Sequence, residues 1–154
     1  FSTLNSPPPQ KRHLPPMPYY ISNYSEDRSQ NLYNAVLALL KDEGLFRKPE
    51  LTAKAVAERL DVNPSAISAA IAYKTDSNFS RLLARIRIRE ACFMLRNRKY
   101  DDLTAEEIGL RAGFASRQTF YNCFSKEMTM TPRQYRKASP EEREKVDRML
   151  RIHL

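Results

Sequence analysis

Glycine is scarce in this 154-residue chain, with three in all, and cysteine occurs only twice. Cys92 and Cys123 are too few for a disulfide framework or, alone, for a four-ligand zinc site, and they suit a reducing compartment. No apolar run approaches the ~20 residues a helix needs to cross a bilayer, so no membrane span is expected in this segment. The opening FSTLNSPPPQ is polar and proline-rich rather than basic and then apolar, unlike a secretory leader. Histidine is confined to His13 and His153, too isolated to suggest catalysis. HExxH, GxSxG and glycine-rich phosphate loops are all missing. No enzymatic chemistry, metal or cofactor is therefore expected, and a cytoplasmic location is. The first residue is Phe1 rather than Met, so the chain is expected to be a segment of a longer protein.

What is present in excess is positive charge. Lys and Arg number 26 against 18 Asp and Glu, a net +8. Residues 61–100 carry eight positive and three negative side chains, whereas residues 26–60 hold six of each and residues 101–154 hold ten against nine. A basic stretch within a folded region points to a polyanionic partner, although charge alone more often marks a solvated helix face.

Six of the ten prolines lie in the first 18 residues. With Tyr19, Tyr20 and Tyr24 and no periodic pattern, they make residues 1–25 an expected linker or tail with polyproline II bias. Beyond it, apolar residues recur at helical spacing and nothing alternates with period two, so the expected class is all-α. Leu32, Val36, Leu39 and Leu40 mark a helix over about 27–43 that Gly44 ends. Thr52 caps a short helix burying Val56, Ala57 and Leu60. Asn63 and Pro64, as cap and first position, open the next, which buries Ile67 and Ile71.

A long helix is predicted over about 79–98, with Phe79, Leu82, Leu83 and Ile86 on one side. At ~1.5 Å per residue it spans roughly 30 Å. Thr104 and Glu107 form a capping box before a helix that buries Ile108 and Ala112, and Gly113 suits the left-handed turn that stops it. Ser116 caps a helix burying Phe120 and Phe124. Thr131 to Gln134 and Ser139 to Glu142 repeat the capping box with proline at the first position. The last helix, 140–153, reads as amphipathic through Val146, Met149 and Leu150.

Twice, therefore, a short helix, a tight turn and a capped second helix follow one another, over 52–73 and 104–126. A helix-turn-helix places its second helix in the DNA major groove. Short helix pairs occur in any small α-bundle, but two pairs joined by a long helix are more specific. Successive major-groove faces lie ~34 Å apart, close to the length of that linking helix. The expected architecture is two tandem three-helix, homeodomain-like helix-turn-helix subdomains, 26–77 and 99–138. A connecting helix at 78–98 joins them, and a C-terminal amphipathic helix at 139–154 follows.

These stretches resemble the DNA-binding domain of the AraC/XylS family of bacterial transcription regulators. The first unit matches in LTAKAVAERLDVNPSAISAAI and the connecting helix in NFSRLLARIRIREACFML. The second matches in EEIGLRAGFASRQTFYNCFSK and MTPRQYRK. The family's intervals fall on Gly113, Phe114, Ser116, Phe120, Phe124, Thr131, Pro132, Tyr135 and Arg136, and the resemblance covers about 30–138. Three positions depart from the pattern: Thr129 stands where glycine is usual, Gly109 where alanine is usual and Ala69 where arginine is frequent. Gly109 and alanine are both small, so close helix approach is expected to survive. The resemblance implies promoter DNA and RNA polymerase as partners, an upstream sensor domain, and a structural, internally paired role for Arg87.

Opposite the expected core, the second recognition helix presents Arg117, Gln118, Tyr121, Asn122 and Ser125. Arginine forks onto guanine O6 and N7, and Gln or Asn pairs likewise with adenine, so Arg117, Gln118, Tyr121 and Asn122 are the candidate base contacts there. The first recognition helix offers Ser65, Ala66, Ser68, Ala69 and Ala72, small side chains with few directed hydrogen bonds and an expected low base selectivity. Asn63, Lys74, Arg81, Ser116, Lys126 and Arg133 are the expected phosphate contacts. Arg85, Arg87 and Arg89 alternate along the connecting helix and cannot all face one way. Cys92 and Cys123 neighbour core positions and read as small apolar fillers.

The expected function is sequence-specific DNA binding by the output domain of a larger regulator. A protein-interaction module binding a sensor domain or a second copy, and a nonspecific or RNA-directed basic domain, are the alternatives.

Overall fold

The computed structural model describes residues 19–152, with side chains from 26 to 150. The proline-rich residues 1–18, His13 and His153 lie outside the described residues, as do the side chains of Tyr19, Tyr20 and Tyr24. Among the described residues the chain is helical throughout and has no strand. Helix α1 spans Tyr19–Leu37 and runs on through a wide π turn, Ala38–Asp42, to Gly44. A 3₁₀ turn at Leu45–Arg47 leads to α2 (Ala53–Leu60), α3 (Pro64–Lys74) and α4 (Phe79–Arg96). A second 3₁₀ turn, Arg98–Tyr100, precedes α5 (Ala105–Arg111), α6 (Arg117–Met128), α7 (Pro132–Lys137) and α8 (Pro140–Ile152).

Helix α1 begins eight residues before the expected position 27. Residues 19–26 lack an apolar stripe, but no proline or glycine interrupts the chain between Pro18 and Gly44, so nothing stops the helix from extending. Capping follows expectation at Thr52, Thr104, Ser116 and Thr131, each accepting from the amide three residues on. At Asn63 it does not: the residue occupies the cap position before Pro64, but its side chain makes no capping bond. Asn78, an unexpected cap, accepts from the Arg81 amide at 2.9 Å. Asn97 ends α4 at Arg96, short of 98, because its side chain already caps the following 3₁₀ turn.

Two cores form, and one helix closes both. Val36, Leu40, Val56, Ile67 and Ile71 pack with Phe79, Leu82, Leu83 and Ile86 from the first half of α4. Ile108, Phe114, Phe120, Phe124 and Tyr135 pack with Ile88, Ala91, Cys92, Met94 and Leu95 from its second half. Fully burying each large apolar side chain contributes roughly 1.5–3 kcal/mol. The aromatics of the second core meet in series, with centroids 5.2 Å apart for Phe114–Phe120, 5.6 Å for Phe120–Phe124 and 5.7 Å for Phe124–Tyr135. The last two pairs are edge-on, the arrangement aromatic quadrupoles favour.

Helix α8 seals the second core with Val146 and Leu150, while Met149, expected on the same face, is 49% exposed. The buried stripe is therefore the i, i+4 pair alone. Asp147 fastens the helix, accepting from the Tyr135 hydroxyl at 2.8 Å, and Arg143 donates to the Tyr135 carbonyl at 3.0 Å.

Candidate nucleic-acid interface

The turn of the second unit sets the direction of α6. After α5, Gly113 takes φ +107°, and the Gly113 and Phe114 amides bond back to the carbonyls of Leu110 and Gly109. This closing pattern needs a left-handed residue, which glycine supplies without steric penalty. In the first unit the same pattern closes on Asp61 (φ 53°), whose amide reaches the Glu58 carbonyl while that of Val62 reaches Ala57. From that left-handed residue to the first core position of the second helix there are seven positions in one unit, Gly113 to Phe120, and six in the other, Asp61 to Ile67.

With Phe120 and Phe124 fully buried, α6 turns Arg117, Gln118, Tyr121, Asn122 and Lys126 outward. Gln118 Nε2 donates to Asn122 Oδ1 at 3.0 Å, so the two amides are held side by side one turn apart. Arg117 makes no hydrogen bond or ion pair to a described residue. Ser125, expected on this face, is instead half-buried, with its hydroxyl oxygen enclosed and unpartnered. Ser116 is exposed, but its hydroxyl is committed to the cap.

On α3, Ile67, Ala70 and Ile71 are buried and Ser65, Ser68, Ala69 and Ala72 exposed, while Ala66 is half-buried. Tyr73, 54% exposed beside Lys74, extends this surface and was not among the expected contacts.

Two expected phosphate contacts have acidic partners in the structure. Arg133 pairs with Glu106 at 2.8 Å. Arg81 pairs with Glu127 Oε1 at 2.8 Å while the buried Arg85 takes Oε2 at 3.2 Å. The carboxylate of α6 thus bridges two arginines of α4. Burial pushes the Glu127 carboxyl up, but the hydrogen bonds and charges of Arg81 and Arg85 outweigh it and hold it below the usual range. Neither partner of Glu127 was legible beforehand, because the bond joins residues more than 40 apart.

Arg87 pairs internally, as the resemblance implied. Its Nε donates to the Phe46 carbonyl and its Nη2 to that of Lys48, both at 2.7 Å, and its guanidinium lies 5.9 Å from the centre of the Phe114 ring. One side chain of α4 thereby joins the entry turn of the first unit to the turn of the second. Both cysteines behave as fillers: burial pushes the Cys92 thiol up to about 12 and raises that of the half-buried Cys123. Among the described residues no cluster of His, Cys, Asp and Glu forms a metal site, and no helix is long and apolar enough to cross a membrane.

Residues 56–138 match the model of a family described as a helix-turn-helix domain, of the AraC type. No curated protein matches the chain. Among solved structures, the C-terminal domain of AraT, a response regulator from Geobacillus stearothermophilus, is similar at 30% identity and a TM-score of 0.59, covering 71% of this chain and 88% of that one. The C-terminal domain of the two-component response regulator yesN from Fusobacterium nucleatum shares the fold at 23% identity and a TM-score of 0.55, over 73% of this chain and 98% of that one. A DNA-binding transcriptional dual regulator from Escherichia coli K-12 shares it at 19% identity and a TM-score of 0.58, over 70% and 97%. The duplicated helix-turn-helix, the single helix closing both cores and the family match agree: the chain belongs to the AraC-type helix-turn-helix family of DNA-binding transcription regulators.

Proposed function

We propose that this chain is the output domain of a longer bacterial regulator and that it sets α3 and α6 into successive major grooves of promoter DNA. The observation that carries the reading is that α4, unbroken over 18 residues, closes a core at each end. At ~1.5 Å per residue it is about 27 Å long, near the ~34 Å repeat of the double helix once the two recognition helices project from its flanks. A flexible tether would leave their spacing undefined.

In this reading α6 specifies sequence. Arg117 forks onto guanine, the paired Gln118 and Asn122 amides take adenine, and Tyr121 packs beside them. Helix α3 docks closely through Ser65, Ala66, Ser68 and Ala69, with apolar contact to thymine methyls and little selectivity. Lys74, Lys126, Asn63 and the backbone amide of Ser116 hold phosphates, and Arg81 and Arg133 join them by exchanging a carboxylate for a phosphate. RNA polymerase, when the protein activates, and an upstream sensor domain complete the set of partners. Two response-regulator domains among the similar structures support that placement.

Selection of bound sequences from a random duplex pool tests this. Enrichment of one site is expected, and Arg117→Ala should abolish discrimination at one base pair while nonspecific affinity persists. If combined substitution of Ser65, Ala66 and Ser68 relaxed base preference more than Arg117→Ala, the roles of the units would be reversed. Equal affinity for unrelated duplexes would refute sequence reading.

A further inference from the structure

Away from α3 and α6, the connecting helix carries a second exposed ridge. Arg89, Phe93 and Arg96 follow one another at i, i+4 and i+7 and stay open to solvent. Phe93 leaves 46% of its surface uncovered, the largest such fraction for any phenylalanine among the described residues. Beside this ridge, the end of the first helical segment and the turn at Leu45–Arg47 line a trough of about 420 Å³ together with α4. Lys41, Phe46, Arg47, Arg89, Phe93 and Arg96 line it, and no lining residue comes from either recognition helix.

The charge of the trough is one-sided. Four cations face it against a single acid, Glu90, which Arg47 already holds at 3.1 Å. Arg96 is shared with the Tyr135 hydroxyl and Asp147 on its far side. Lys41 and Arg89 have no hydrogen bond or ion pair to a described residue. A concave site with an exposed aromatic between arginines has the composition of a protein-interface hot spot, whereas phosphate recognition has no use for the ring. Arginine clusters also take acidic segments. A second copy of this chain fits poorly, since it carries +8 of its own.

We infer that this trough docks an acidic segment of a protein partner, with an apolar side chain of that segment seated on Phe93 and carboxylates on Lys41 and Arg89. The surface is separate from the DNA-reading helices, so partner and promoter can be held at once.

The test uses the 154-residue chain and a fluorescein-labelled peptide alternating aspartates with leucine and phenylalanine, followed by anisotropy at ~0.15 M salt, where long-range charge attraction is largely screened. Phe93→Ser and Arg89→Glu should each weaken binding at least tenfold. Lys145→Glu, an equal charge change on α8 away from the trough, should weaken it less than twofold. Circular dichroism melts of the variants should match the parent, since both side chains are exposed. Three results would overturn the inference. One is equal binding by a peptide with serine in place of its apolar residues. Another is equal loss from Lys145→Glu. The third is a comparable loss of duplex-DNA affinity in Phe93→Ser and Arg89→Glu, which would assign the trough to the nucleic-acid surface instead.

Discussion

The ring of Phe120 lies where a Cβ on Gly109 would stand, so α5 and α6 meet through a glycine at the base of the second recognition helix. Alanine is the better helix former by ~1 kcal/mol, yet here its methyl group would collide with three ring atoms. Gly109→Ala is therefore expected to lower stability by about 1–3 kcal/mol, the cost of overpacking, despite the gain in propensity. A higher melting temperature in the variant would show that the ring yields freely. The close helix approach expected with glycine at this position is present, and it leaves no room for the alanine methyl group.

Thr129 ends α6 at φ 56°, a left-handed conformation that a β-branched residue adopts only with strain. Its hydroxyl donates to the Met128 carbonyl at 2.6 Å, a partial compensation. Thr129→Gly should raise stability by about 1 kcal/mol in thermal or urea unfolding. Unchanged or reduced stability would mean that the hydroxyl bond outweighs the strain.

Glu127 supplies the expected pH dependence. A carboxylate whose folded pKa lies below its unfolded value adds stability that is complete well above ~4.3 and disappears as pH falls through the folded value. Melting temperature should therefore decline below about pH 4.5, and Glu127→Gln should flatten that decline while lowering stability at pH 7. The cost at neutral pH is about 3 kcal/mol, because the buried Arg85 loses its counter-charge. An equally steep acid limb in the variant would remove Glu127 from the account.

Arg87 spans two carbonyls with two different nitrogens, a fork that lysine cannot reproduce. Arg87→Lys should thus destabilise by about 1–3 kcal/mol and Arg87→Met by more, since lysine can keep one of the two bonds while methionine leaves the buried Phe46 carbonyl without this donor. Denaturant midpoints of the two variants measure this. Full retention of stability by lysine would contradict a bidentate role.

DNA affinity should fall steeply with salt, as log K against log [salt], in proportion to the phosphates neutralised. Lys74→Ala and Lys126→Ala should each reduce the slope by about 1, whereas Gln118→Ala should leave it unchanged and alter base preference. A near-zero slope in the parent chain would contradict docking on the duplex backbone.

Much of this molecule was legible in its amino acids because the signals are local. A cap acts over three residues, and a buried pair such as Ile67 and Ile71 or Phe120 and Phe124 repeats at four. Gly113 declares the turn before α6 through its own backbone. Asp61, whose left-handed conformation is equally needed, gave a weaker signal, because aspartate tolerates that region without requiring it. Ser125 and Met149 mark the limit of wheel-counting: both sit near the boundary of a face, where neighbouring helices decide which side is covered.

Local sequence alone determined that the chain forms short capped helices in two similar sets with a long one between them, because capping and apolar spacing act within a turn or two. Only the tertiary structure decided that α4 divides its apolar residues between two cores and that Glu127 claims two of its arginines. The packing likewise leaves no space for a side chain on Gly109 and leaves Phe93 uncovered. Each of these depends on groups brought together from distant parts of the chain, and residue spacing carries no record of such encounters.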